Sequence, residues 1–599
     1  MSKLNPYAFF IGAILLFLIA APFWGDGGNQ QRATNQSQPE PLDGSVMDQV
    51  LADDLAMTTS LFITHLSEQL QEWAERDLSE PSLQKEFEDE LYEHPHFHSF
   101  AVTKNDQVDV AIGQISTSRL KELIDDADQD IVYSDPYEYD GHQYFLMAQQ
   151  KDTNGWVAGE VDLSFVRTFI NDMASVADAN GNFFISNGDP EVDIEDGKDR
   201  KHHVTAQSVP ELDWQIVVAS DDEETDKERD YQEHEAVVKF NDETEVKQWI
   251  NAQSTITIKK DSDPYLVLRD ETKSTADLIE LLSADEAIEF VEPNYVISKQ
   301  GTASSYRRHS SPLPNDEFFA THQWNLSQIQ AEEGWDMSIG DEDVIIAILD
   351  TGVDPDHQDL KEKVLDGYNS FDGSSDYYDS HGHGTHVAGI AAAITNNING
   401  IAGVSWNNPI LPVKVLDDDG EGTSFEVARG IRWATNQGAK VINMSLGDYY
   451  DSFILHDAIR YADRNDVVLI AASGNDNVDD PMYPSEYEEV LTVAAVDHNR
   501  DRALFSNYGH HVDVTAPGEH IPSTFPNNNY VIMSGTSMAA PHVAGLAGLI
   551  RSIQPELTNS EVYQLIRETS EDLGPKGLDP YYGYGEINVA KALDRLLNE

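Results

Sequence analysis

Five largely apolar runs, Val344–Leu349, Leu411–Leu416, Val441–Ser445, Val467–Ala472 and Val490–Val496, alternate with stretches of helical periodicity in the C-terminal half of the chain. A strand that is apolar from end to end is covered on both faces, the condition of a parallel sheet between two layers of helices. The pattern predicts an α/β domain built on a doubly wound parallel sheet. Reacting groups in such sheets gather beyond the carboxyl ends of the strands. Asp350, Ser445 and Asn475 all fall at those ends.

Ser534-Gly535-Thr536-Ser537-Met538-Ala539-Ala540-Pro541-His542 leads into the small, apolar segment Val543–Ile550. That places Ser537 at the mouth of a buried helix, where free N–H groups and a partial positive charge would hold an oxyanion. Gly535 lets the chain approach a substrate without a side chain in the way. Asp350-Thr351-Gly352 closes the first apolar run, and His381-Gly382-His383-Gly384-Thr385-His386-Val387-Ala388-Gly389 opens a second small-residue helix. A hydroxyl attacks a peptide carbonyl at neutral pH only when a base takes its proton, and the base needs an acid to fix its tautomer. Asp350, His383 and Ser537 can supply the three parts, with His381 and His386 competing for the base.

Read together, these blocks resemble the subtilisin family of serine peptidases, and its thermitase-like branch in particular. The resemblance covers about Pro314 to Glu599 and extends to Lys414-Val415-Leu416, Gly438–Gly447 and Ala471–Asn475. It implies a serine endopeptidase of broad specificity acting through an acyl-enzyme. Ser537 would be the nucleophile, His383 the general base and acid, Asp350 the orienting carboxylate and Asn475 the side-chain oxyanion donor. His381 and His386 would then be structural or surface residues. Gly420 and Gly422 on one edge, and Ser445, Leu446 and Gly447 on the other, would admit an extended peptide as an added strand. Met482 would floor the main pocket and Asp476 would stand at its rim, a pocket for medium apolar side chains that tolerates basic ones. The same resemblance implies a Ca²⁺ site from Asp316, Asp359, the Asn397 side chain and the carbonyls of Ile394, Asn399 and Ile401, since hard oxygen donors in a flexible loop suit that ion. No His/Cys spacing points to zinc.

Lys and Arg number 38 against 107 Asp and Glu, a net charge of −69. Such a surface repels nucleic acid and anionic lipid alike. It also repels itself, so stability is expected to rise with salt. Cysteine is absent, so no disulfide cross-links the chain and metal ions or packing must substitute.

Tyr7–Trp24 is apolar apart from Gly and Pro, and residues 1–25 are expected to be an export signal or membrane anchor helix, leaving the rest secreted or anchored outside the cytoplasm. Residues 26–44 form a polar linker. Val46 to about Arg76 has the spacing of one long amphipathic helix. With the alternating segments and the Asp178-Ala179-Asn180-Gly181 turn after it, a mixed sheet is expected, and residues 45–222 resemble an extracytoplasmic Cache (PAS-like) α+β module, a ligand sensor or a spacer. Asp221–Glu235 is a charge-dense connector. Residues 236–300 read β-α-β-β-α-β, and their closing Glu289–Tyr295 resembles the α+β inhibitory propeptide of subtilisins. Such a domain would template a slow-folding parallel sheet and leave its last strand in the active-site cleft as an intramolecular inhibitor. Residues 301–314, with Arg307-Arg308, form an exposed processing linker before the peptidase domain, 315–599. The expected protein is a calcium-stabilised, self-processed endopeptidase acting on proteins and peptides; the alternative is a membrane-tethered sensory or binding protein with a subordinate peptidase domain.

Overall fold

The computed structural model describes residues 44–75, 85, 314–598 and, with short gaps, 97–163, 182–187, 202–221 and 231–299. Tyr7–Trp24, the linker up to residue 43, the Asp178–Gly181 turn and the stretch 301–313 lie outside the described residues. Among the described residues no helix is long and apolar enough to cross a membrane.

Helix α1, Gly44–Glu75, opens the described chain. Strands β1 (Phe97–Lys104), β2 (Gln107–Ile112), β3 (Ile131–Tyr133), β4 (Tyr137–Tyr139), β5 (His142–Asp152) and β6 (Gly155–Asp162) follow, with α2 (Thr117–Asp125) between β2 and β3. They form a sheet of order β2-β1-β6-β5-β3, with β4 on β5. A separate sheet joins β7 (Asn182–Asn187), β8 (His202–Val209) and β9 (Trp214–Asp221) in the order β7-β9-β8. The expected mixed sheet is not what forms: every described pairing here is antiparallel. Connections as short as the two residues between β5 and β6 allow no other sense, because a parallel return needs a crossover of a dozen residues or more. Helix α1 also differs from a simple amphipathic helix. The helix packs on β5, β6, β8 and β9 with Leu55, Leu66 and Leu70 buried, and Leu61 is buried on another face against the C-terminal domain.

The next unit runs β10 (Tyr231–Phe240), α3 (Val246–Ala252), β11 (Thr257–Ser262), β12 (Tyr265–Arg269), α4 (Thr275–Ser283) and β13 (Ile288–Lys299), with sheet order β11-β12-β10-β13. Ser274 caps α4 by accepting from Asp277 N. Tyr231–Glu235, expected as connector, is already strand. Its Glu235 is buried because Lys259, Arg269 and Asn294 converge on the carboxylate, so the charge density here marks cross-strand partners rather than a solvated link.

The C-terminal domain carries β14 (Ile346–Asp350), β15 (Tyr368–Asn369), α5 (His383–Ala392), β16 (Ile410–Lys414), β17 (Glu421–Thr423), α6 (Ser424–Asn436), β18 (Val441–Met444), β19 (Leu446–Gly447), α7 (Phe453–Arg464), β20 (Val468–Ala472), β21 (Leu491–Val496) and β22 (Val514–Pro517). Seven of these strands make one parallel sheet, β15-β16-β14-β18-β20-β21-β22. Hairpin β23 (Ile521–Phe525)–β24 (Asn529–Met533) precedes α8 (Thr536–Ile553), and α9 (Asn559–Thr569) and α10 (Val589–Asn598) end the chain. Helix α8 runs through the core, buried from Thr536 to Arg551. Its small residues permit that: a Cβ on Gly545 would lie 2.6 Å from Val404 Cβ.

Candidate active site

Strand β14 ends on Asp350, and α5 begins on His383. Asp350 Oδ1 accepts from Thr351 N at 2.8 Å and stands 2.7 Å from His383 Nδ1, with both side chains buried. Buried His383 Nε2 has no hydrogen-bond partner among the described residues. The start of α5 is held by a residue that sequence reading passed over. Asp379 accepts through Oδ1 from Thr351 Oγ1, His381 N and Gly382 N, and through Oδ2 from Thr385 N and Oγ1, all within 3.1 Å. Thr351 Oγ1 in turn accepts from Gly384 N at 2.9 Å. The signal was an acid four residues before His383, ahead of a helix start. His381 and His386 were expected to be structural or surface residues; both are buried. His386 Nε2 faces the Val531 carbonyl at 3.2 Å, and burial pushes its pKa down to about 3.

Ser537 lies in the first turn of α8. Its hydroxyl donates to the Ser445 carbonyl at 3.0 Å, and Ser445 Oγ returns a bond to the Ser537 carbonyl at 2.9 Å. Asn475 Oδ1 accepts from Thr536 N at 3.0 Å and from Thr536 Oγ1 at 2.9 Å. Both bonds end on the oxygen, which leaves the amide N–H₂ as the outward group. Gly474 sits at φ +106°, and a Cβ there would lie 2.3 Å from both Met482 Sδ and Asn507 Nδ2. Met482 also approaches Gly447, so it lies between Gly447 and Gly474. Asp476 is exposed and accepts from Tyr449 O–H at 2.5 Å, a position at the rim.

The groove between β17 and β19 holds a strand. β13 runs on from its own sheet, pairing Val296, Ile297 and Ser298 with Thr423, Gly422 and Glu421, and Ser298 and Lys299 with Gly447 and Leu446. Gly422, Leu446 and Gly447 thus pair with this strand, and Gly420 lies against the Lys299 side chain. Lys299 Nζ lies 2.5 Å from His381 Nε2. Upstream, the Glu292 carboxylate sits on the N-terminus of α7, accepting from Ser452 Oγ at 2.7 Å, Phe453 N at 2.9 Å and Ile454 N at 3.4 Å. Phe290 packs on Phe453 at 4.3 Å and Tyr295 stacks on Tyr450 at 5.4 Å between ring centroids.

A second constellation forms around the loop 394–401. Asp316 accepts from Asn396 N and Asn397 N, and Asp359 accepts from Asn397 Nδ2, Ile401 N and Tyr530 O–H. Burial, reinforced by the negative charge of Asp316, pushes Asp359 up to about 6. Asp316, Asp359 and Asn397 are therefore together, with Ile394, Asn399 and Ile401 on the same loop. No cluster of three or more His, Cys, Asp or Glu suited to a metal occurs among the described residues.

A carboxylate–imidazole pair and a helix-mouth hydroxyl at the carboxyl edge of a parallel sheet, beside a groove that takes a strand, are what a subtilisin-like serine endopeptidase requires. The Subtilase family model matches residues 341–585. Thermitase of Thermoactinomyces vulgaris is 44% identical over 280 residues, 47% of this chain and 99% of that one. The thermophilic serine proteinase of Bacillus sp. (strain AK1) is 42% identical over 316 residues, 53% of this chain and 75% of that protein. Among solved structures, fervidolysin from Fervidobacterium pennivorans, a keratinolytic enzyme related to subtilisin, superposes with a TM-score of 0.56 at 30% identity over 62% of each chain. The chain belongs to the subtilase family, and it is a subtilisin-like serine endopeptidase.

Proposed function

We propose that the chain is a calcium-stabilised endopeptidase of broad specificity, made as a precursor that cuts itself. The observation that carries this is the 2.7 Å contact between Asp350 and His383 Nδ1. With Nδ1–H donated to the carboxylate, Nε2 keeps its lone pair and is the base that takes the Ser537 proton as Oγ attacks a substrate carbonyl. The proton then passes to the leaving amine, the acyl-enzyme forms on Ser537, and water releases it by the same two steps reversed. The Asn475 amide and the first-turn N–H groups of α8 meet the developing oxyanion, a contribution of about 10²–10³ in rate for one such donor. Met482 between Gly447 and Gly474 favours medium apolar side chains in the pocket.

Residues 236–300 act as the inhibitory propeptide, a reading supported by the β13 register. Ser298 opposes Gly447 and Lys299 opposes Leu446, the neighbour of Ser445, whose carbonyl accepts from Ser537. Self-cleavage is then expected between Gln300 and Gly301. Calcium fits the loop 394–401 by its donor set: two buried carboxylates, Asp316 and Asp359, lie against a turn whose N–H groups they accept from here, and whose Asn side chain and carbonyls could turn oxygen toward an ion. Bound there, the ion would tie residue 316 to that loop, and Asp316, Asp359, Asn397 and the Ile394, Asn399 and Ile401 carbonyls would hold it. Residues 45–222 serve as a sensor or spacer, and Tyr7–Trp24 exports or anchors the protein. Casein hydrolysis and N-terminal sequencing test the proposal. Ser537→Ala is expected to abolish both hydrolysis and self-cleavage, while the unmodified protein yields a mature chain starting at Gly301. Activity that survives Ser537→Ala would overturn it.

A further inference from the structure

Helix α1 has two occupied sides. One side packs on β5, β6, β8 and β9, and Trp73 meets Phe100 of β1 edge-on at 4.8 Å; Leu51, Leu55, Leu66 and Leu70 are buried. Asp54, Met57, Thr58, Leu61 and His65 recur at spacings of three and four, which puts them on one stripe. That stripe lies on the peptidase domain. Thr58 Oγ1 accepts the N–H of Ile532 on β24 at 3.1 Å, satisfying a strand-edge donor. Leu61 is 2% exposed in an apolar cluster with Phe318, Ala393, Ile401, Tyr530 and Ile532, against which Met57 packs. His65 Nδ1 meets Glu317 Oε1 at 2.8 Å, and Asp54 lies 3.7 Å from His520 Nδ1. Every contact on the peptidase side falls beyond residue 314, so a cut in 301–313 would leave the two sides on different chains.

We propose that this face of the peptidase, formed by the β24 edge, Phe318 and Ile401, is a docking surface for α1 that outlasts cleavage, so that the mature enzyme carries its N-terminal region as a non-covalent partner. A covalent link is not needed, because the stripe offers what a stable interface needs: an apolar centre at Leu61, a satisfied backbone donor and polar contacts at either end. The surface also touches the candidate calcium loop. Tyr530 packs its ring on Phe318 at 5.1 Å and donates its hydroxyl to Asp359 at 2.8 Å, so the docked helix covers the wall of that loop.

The test does not depend on self-cleavage. Recognition sequences for an added site-specific protease are placed in 222–230 and in 301–313 of the full chain carrying Ser537→Ala. After cutting, native size exclusion and mass spectrometry follow the piece that ends near residue 221. It is expected to elute with the peptidase piece, and Leu61→Asp is expected to weaken that association at least about a hundredfold, the effect of losing a buried Leu and burying a charge. Thr58→Arg, milder to the fold of the N-terminal sheets, is the second variant; circular dichroism of each uncut chain checks that helix content is kept. Separate elution of the unsubstituted piece, or co-elution undiminished by both variants, would overturn the proposal. Failure of the unsubstituted wild-type chain to cut itself would bear on the processing reading alone.

Discussion

One carboxylate, Asp379, decides where the His383 imidazole stands. It is fully buried and accepts from five donors that span Thr351 and the first turn of α5. Removing it leaves those donors without an acceptor in a dry site, at about 1–3 kcal/mol for each that finds no water. Asp379→Ala is expected to lower the thermal midpoint and to reduce kcat more than KM; Asp379→Asn, which keeps one oxygen, is expected to recover part of the loss. Unchanged kcat in a stable Asp379→Ala protein would count against it. The same scale explains why three histidines in a row of six residues are not equivalent. His383 alone is joined to Asp350, His386 is turned inward to the Val531 carbonyl, and His381 faces Lys299 at the groove.

At the scale of elements, β13 belongs to two sheets. Its first half completes the 231–299 unit and its last residues occupy the groove between β17 and β19. Glu292, in the first part, ties β13 to the peptidase domain by placing its carboxylate on the positive end of α7. Glu292→Ala is expected to loosen this docking by about 1.5–3 kcal/mol, the worth of hydrogen bonds to a charged group, so the processed protein should gain activity roughly ten- to a hundredfold faster. Helix α1 has a charge problem of its own. Burial, aided by Asp497 and by Asp53 on the helix, pushes Glu519 up to about 7. A carboxyl raised in the folded state costs stability as pH rises from its ordinary value through the raised one. The folded protein should therefore lose stability between about pH 4.5 and pH 7 at this site, and Glu519→Gln should flatten that part of the curve. A melting profile with the same slope in the variant would refute the assignment.

At the scale of the molecule, 107 acidic against 38 basic residues, no cysteine and a parallel sheet of distant contacts put the burden of stability on packing, counter-ions and the loop around Asp316 and Asp359. Chelation is expected to lower the thermal midpoint, and calcium at about a hundred times its Kd to restore about 3 kcal/mol. Asp359→Ala should be insensitive to either treatment. Raising NaCl from about 0.05 M to about 2 M shrinks the screening length severalfold and should raise the midpoint by several degrees; a flat response would show that the acidic surface is not self-repelling in the way its charge implies.

The parallel sheet, its order of apolar runs, the site residues at the strand ends and the Asp…His…Ser motifs were all written in local pattern. Burial on both faces leaves continuous hydrophobic runs, and chemistry at helix starts leaves short Gly-flanked signatures. The βαββαβ unit was legible from short apolar strands such as Tyr265–Arg269 alternating with helical stretches, although β11 is largely exposed. The rest depended on partners far away in the chain. Asp379 looks like any loop acid until Thr351 and α5 close around it. Tyr231–Glu235 looks like a solvated connector until Lys259 and Arg269 arrive from other strands. The two-sided burial of α1 reads as simple amphipathicity until a second domain covers its other face. Periodicity reports how much of an element is dry, but which neighbour dries it is a property of the assembled fold alone.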